Sequence, residues 1–197
     1  MESRKCIQRS NIALRAQNVD ISRRRLLVGL MDFHGGSFRA ARSLLGLGQA
    51  GVASRAEVDR NVVFRVEAGN YQRALRPQAT KLKRFYEKVG IEFIEGTAEH
   101  GPGIRWDTNK VDELVHRAHL RAGRALVGML QADLAAKANV SQSLISRFAS
   151  GKTQTIPSIE FDKIASALRD KGVELIDEPK KREAGVQLIL PLAQPDE

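Results

Sequence analysis

The chain has 197 residues, 42% of them hydrophobic, with 32 Lys and Arg against 23 Asp and Glu for a formal charge of +9. That size and apolar content can bury one large or two small cores, and the basic excess favours a polyanionic partner such as nucleic acid. A single cysteine, Cys6, excludes an internal disulfide and any multi-thiolate metal site, and no apolar run reaches the roughly 18 residues that a membrane-spanning helix requires.

Residues 1–33 show no sustained helical face. Seven basic residues there stand against Glu2, Asp20 and Asp32, and Arg23, Arg24 and Arg25 are adjacent. Such a segment reads as a disordered basic tail, or as a basic arm that follows a nucleic-acid groove. Leu26 to Met31 is too short and too poorly flanked for a signal peptide, so a soluble, cytoplasmic protein with no membrane association is expected.

From Arg39 onward the sequence repeats itself. Adding 82 to a residue number between Arg39 and Trp106 gives an identical residue at 18 of 68 positions, with no gap. The pairs include Arg39/Arg121, Arg42/Arg124, Leu44/Leu126, Gln49/Gln131, Ala53/Ala135, Val58/Val140, Gly69/Gly151, Gly90/Gly172 and Gly103/Gly185. Ala79 and Phe85 of the first copy become Phe161 and Ala167 in the second, a swap of bulk between two similar cores. A fixed period of this kind means two copies of one structural unit. The first is placed at 34–108 and the second at 109–190, each a small domain, leaving 191–197 as a tail.

Each copy predicts four helices and a hairpin. In the first, Gln49, Val52, Ala53, Ala56, Val58, Val63 and Val66 keep the frame, and Ile91–Ile94 and Ile104–Trp106 are short strands. In the second, apolar residues at helical spacing place one helix from about Val111 to Gly128 and a short one at Gln131–Ala138. Asn139 tolerates a left-handed turn. Ser141 caps a third helix, Gln142–Ser150, which Gly151 ends. Pro157 opens a fourth helix, carrying Phe161, Ile164, Ala165 and Leu168 and ending at Gly172. The runs Val173–Ile176 and Val186–Leu190 form a hairpin across Asp177–Gly185. Its outer strand, Val186–Leu190, offers an edge for pairing with a second chain, limited by Pro191 and the acidic tail.

Two helices that cross steeply need a small residue at the crossing, apolar residues on the shared face and a permissive turn between them. Ala135, then Leu134, Ala138, Val140, Ile145 and Phe148, then Asn139, fill those roles. With these residues in place, Gln131–Gly151 and the stretch SQSLISRFASGKTQTIPS resemble the helix-turn-helix of phage repressors and XRE-like regulators. The resemblance begins near Met31, where FRAARSLLGLGQ is similar to the opening of such proteins, and it makes Met31 a candidate for the biological start.

The resemblance implies a mainly α fold: two tandem lambda-repressor-like four-helix DNA-binding domains, each followed by a short β-hairpin. It implies a nucleoid-associated transcriptional regulator, a repressor by analogy, whose two units read major-groove half-sites of double-stranded DNA. Gln142, Ser143 and Ser146 would face base edges, Gln131 a phosphate beside a helix N-terminus, and Lys152 and Thr153 the backbone. In the first copy the matching residues are Gln49, Arg60, Asn61 and Phe64, the last either touching a thymine methyl or sealing the core. That copy is less faithful, because Glu57 occupies the turn and Glu57, Asp59 and Glu67 add negative charge. The rival reading is a protein-binding adaptor, an antitoxin or antiactivator, with one or both units turned toward a partner regulatory protein. No cofactor is expected: His116 and His119 lack a completing metal ligand, and His34 in the HGG run and Cys6 lack partners for nucleophilic catalysis, so no enzyme is expected.

Overall fold

The computed structural model describes residues 34–70, 75–97, 100–109 and 114–189. The expectations placed on residues 1–33, on Pro191 and on the acidic tail lie outside them. In chain order the elements are α1 (Gly35–Leu44), α2 (Gln49–Ala56), α3 (Arg60–Glu67), α4 (Arg76–Lys88), β1 (Ile91–Ile94), β2 (His100–Asp107), α5 (Val115–Leu126), α6 (Gln131–Ala138), α7 (Gln142–Ala149), α8 (Ser158–Arg169), β3 (Val173–Glu178) and β4 (Glu183–Ile189). Adding 82 to the ends of α2 and α3 gives the ends of α6 and α7. The turns correspond too, with φ of 50° at Glu57 and 51° at Asn139, and 76° at both Gly69 and Gly151. No helix among the described residues is long and apolar enough to cross a membrane.

The sheet departs from expectation. Instead of two separate hairpins there is one four-stranded antiparallel sheet, ordered β1-β2-β4-β3. Both inner strands are longer than their apolar runs indicate: β2 starts at His100 and β4 at Glu183. Glycine, proline and charged residues hid those extensions, because each strand finds backbone partners on two sides and needs less from its side chains. The proposed dimer through the β4 edge is therefore corrected, since β4 lies between β2 and β3 and presents no free edge.

The central pairing is symmetric. Ile104 lies opposite Val186, its own counterpart 82 residues on, while Gly103 faces Gln187 and Arg105 faces Gly185. A local two-fold relation thus passes between Ile104 and Val186. The two glycines make the approach possible: a Cβ on Gly103 would lie 2.2 Å from the Val186 carbonyl oxygen, and one on Gly185 would lie 2.7 Å from that of Ile104.

The same relation holds between α1 and α5. The guanidinium of Arg39 donates to the carbonyls of Ala125 (3.2 Å) and Leu126 (3.4 Å), and Arg121 donates to the carbonyl of Ser43. Each arginine satisfies terminal carbonyls of the other helix and places a cation at its negative end. Buried side chains of both repeats, among them Phe38, Leu82, Tyr86, Ile104, Trp106, Leu120, Leu134, Ile145 and Val186, form one continuous cluster. The 108/109 boundary drawn from sequence is therefore crossed by a shared sheet and a shared interior, not by a linker between two independent cores.

His119 joins α5 to the sheet. It is buried, its Nε2–H donates to the Ile176 carbonyl (2.8 Å), and its ring meets Trp106 edge-on at 5.5 Å. His116, one turn earlier, stacks on Phe161 at 4.0 Å, so the two imidazoles serve different neighbours. Burial pushes the His119 pKa down. His34 is also lowered, by burial and then by Arg39, while its Nδ1 accepts the Ser37 N–H that starts α1.

Two outcomes follow for stability. Gly103→Ala places a methyl against the β4 backbone and should destabilise the protein by about 2 kcal/mol, read from the urea midpoint. A folded-state histidine pKa below its unfolded value near 6.5 gives stability that is full above that pH and falls as the pH drops below it. The urea midpoint should decline from pH 7 to pH 5, and His119→Gln should flatten that decline, leaving the part due to His34.

Candidate nucleic-acid interface

α6 and α7 form a braced pair. Ala135 and Ala138 are small enough for close approach, and Leu134, Ile145 and Phe148 are buried on the shared face. The chain reverses through Asn139 in the left-handed conformation, with the Val140 N–H donating to the Ala135 carbonyl (3.0 Å). Ser141 then caps α7, its Oγ accepting the Leu144 N–H (3.2 Å). With Ile145 and Phe148 fixed inward, the helical period turns Gln142, Ser143 and Ser146 outward, and all three are exposed. Ser143 Oγ lies 3.2 Å from Ser141 Oγ, and the Gln142 amide has a solvent-facing position at the first turn of α7.

Basic residues surround this face. Arg147 and Lys152 are exposed, and Arg117 lies over the Phe148 ring at 5.4 Å while donating to the Thr153 carbonyl (3.2 Å) and to Gln154 Oε1 (3.1 Å). Those bonds hold the loop after α7 in place. Thr153 itself is half-buried, its N–H donating to the Arg147 carbonyl (3.2 Å). Gln131 is half-buried at the first turn of α6.

Residues 120–171 match the helix-turn-helix family model HTH_3. The matched segment contains α6, α7 and α8 together with the exposed face just described. It identifies a helix-turn-helix of a DNA-binding type in the second repeat. No curated protein and no solved structure matched the chain.

The first repeat has the same path with different chemistry. Glu57 holds the left-handed turn position, which costs a side chain with a Cβ about 1 kcal/mol. Lys81 spans the turn, its Nζ donating to both the Glu57 carbonyl and Oε2 at 3.0 Å. Asp59 caps α3 by accepting the Asn61 N–H (2.6 Å). Arg60 and Asn61 are exposed, and Phe64 is 55% exposed, so it does not seal the core.

Sequence reading missed one feature beneath this surface. Glu67, expected to add surface negative charge, is only 4% exposed. Arg42 grips its carboxylate from two sides (Nε–Oε1 2.5 Å, Nη2–Oε2 3.0 Å), the Gln49 amide donates to Oε2 (3.0 Å), and Arg39 donates to its main-chain carbonyl. That bond to Glu67 raises the Arg42 pKa above its ordinary value against the opposing effect of burial. Gln49, expected at a phosphate, is thus tied to an internal carboxylate. The arginines stood among the repeat identities, but a contact across 25 residues leaves no local pattern to mark it. Removing the carboxylate with Glu67→Ala leaves a largely buried cation unpaired and should lower stability by on the order of 3 kcal/mol in urea denaturation.

Proposed function

We propose that the protein is a sequence-specific, double-stranded DNA-binding transcriptional regulator whose main reading element is α7. The observation that carries this reading is the exposed row Gln142, Ser143 and Ser146 on a helix anchored by Ile145 and Phe148, inside the segment that matches the helix-turn-helix model. A Gln amide suits an adenine edge, and Ser hydroxyls can donate or accept at several bases. Lys152 and the Thr153 loop suit backbone phosphates, and Gln131 suits a phosphate at the start of α6.

The local two-fold relation between the repeats supports a further step. Two units on one chain, each with a helix after a left-handed turn, would present paired reading elements as a symmetric dimer does, for half-sites about 34 Å apart. In that arrangement Arg60, Asn61 and Phe64 read the second half-site. A second reading is favoured by one observation: Phe64 is an aromatic side chain 55% exposed on the outer face of α3, a feature suited to a protein partner. In that case only the second repeat touches DNA.

Selection of bound sites from a random DNA pool separates these readings: two half-sites support two reading units, one supports α7 alone, and no enriched motif overturns sequence-specific recognition. On the selected site, Gln142→Ala should weaken binding by about tenfold to a hundredfold and leave random DNA unaffected. Lys152→Ala should weaken both alike and reduce the slope of log affinity against log salt by about 1. Equal losses on both DNAs from the Gln142 change would sink the assignment of α7 as the reading helix.

A further inference from the structure

Between the repeats, on the side of α6 and α7, lies a polar cavity of about 450 Å³ lined by Arg42, Arg121, Arg124, Gln131, Ser146 and Ala149, among others. The first repeat supplies an internal comparison for it. There, the counterparts of Arg124 and Gln131 are Arg42 and Gln49, which converge on the Glu67 carboxylate. The counterpart of Glu67 is Ala149, and that of Phe64 is Ser146. The second repeat therefore keeps the arginine and the glutamine, loses the carboxylate they hold, and replaces the neighbouring aromatic with a small hydroxyl.

Arg124 registers that loss. Its Nη1 donates to the Met129 carbonyl (2.7 Å), but its Nε is buried with no hydrogen-bond partner. No ion pair joins Arg124 to a carboxylate among the described residues, whereas Arg42 has Glu67 at 2.5 Å. Burial and the neighbouring Arg121 both push the Arg124 pKa down. A partly buried guanidinium without a counter-charge carries a desolvation cost, and a carboxylate presented to its fork is the geometry that offsets it best.

We propose that this cavity binds the carboxylate of a small free acid, in the place that the Glu67 side chain takes in the first repeat. Arg124 and Gln131 hold the carboxylate, and the Ser146 and Ser150 hydroxyls line the space left for the rest of the molecule. The cleft is larger than a bare carboxylate and leaves room for a further body on the acid. Ser146 also stands on the exposed face of α7, so an occupant of the cavity lies directly against the proposed reading helix.

The test uses the full chain without DNA, which separates it from the DNA-binding reading. Sodium acetate is titrated at constant ionic strength against chloride and phosphate controls while the melting temperature is followed. Acetate should raise the wild-type melting temperature by about 3 °C at several times its Kd. Ala149→Glu, which supplies the missing carboxylate from the chain itself, should melt higher than wild type and lose the response. Arg124→Gln should lose the response without that gain, and it serves as the deciding variant if Ala149→Glu does not fold. No acetate response in wild type, an equal rise with chloride or phosphate, or a response retained in Arg124→Gln would each overturn the proposal.

Discussion

A two-stranded hairpin is marginal in water and needs a covered face and neighbouring strands to persist. Here each repeat supplies only two strands, and neither pair stands alone. The backbone bonds between β2 and β4 turn two incomplete hairpins into one sheet. Helices α1 and α5 then meet under the same two-fold relation, closed by the reciprocal bonds of Arg39 and Arg121 to each other's helix ends. The positions of α3 and α7 follow from this junction, because each is braced by its own preceding helix against an interior that belongs to both repeats. The glycines at 103 and 185 carry a disproportionate share of the architecture for residues with no side chain.

Symmetry in the backbone is not matched by symmetry in chemistry. The first repeat uses a buried carboxylate to hold Arg42 and Gln49, tying the Gln49 amide to the end of α3. The second leaves the equivalent arginine uncompensated, with an open polar space beside it. It also carries the easier turn residue, Asn139 where the first has Glu57, and an all-polar outer row on its third helix. Two frames of similar shape thus carry different chemistry: a paired carboxylate and an exposed aromatic in one, an arginine without a carboxylate and a polar outer row in the other.

Much of this is legible in the sequence. The gapless 82-residue offset, the left-handed turn residues and the Ser141 cap place α2, α3, α6 and α7 to the residue or nearly so, because each depends on local backbone preference and a 3.6-residue period. The outward set Gln142, Ser143 and Ser146 follows from the inward set Ile145 and Phe148 by geometry alone. What stayed hidden was whatever depends on partners distant in the chain. β2 and β4 contain His100, Pro102, Gly103, Glu183 and Gly185, which read as loop until each strand is seen between two others. Glu67 reads as surface charge until Arg42 comes against it. The apparent swap of bulk between Ala79/Phe85 and Phe161/Ala167 is only partly internal, since Phe85 is half-buried while Ala79 and Ala167 are fully covered.

The inner position of β4 has a consequence for how the two repeats stay together. A pair of subunits held by a sheet edge comes apart when diluted, because association competes with the entropy of free chains. Here the same strand pairing is intramolecular, so the relative placement of α3 and α7 is independent of protein concentration. The spacing of these two helices is therefore fixed within one molecule, even when only a few copies of the chain are present.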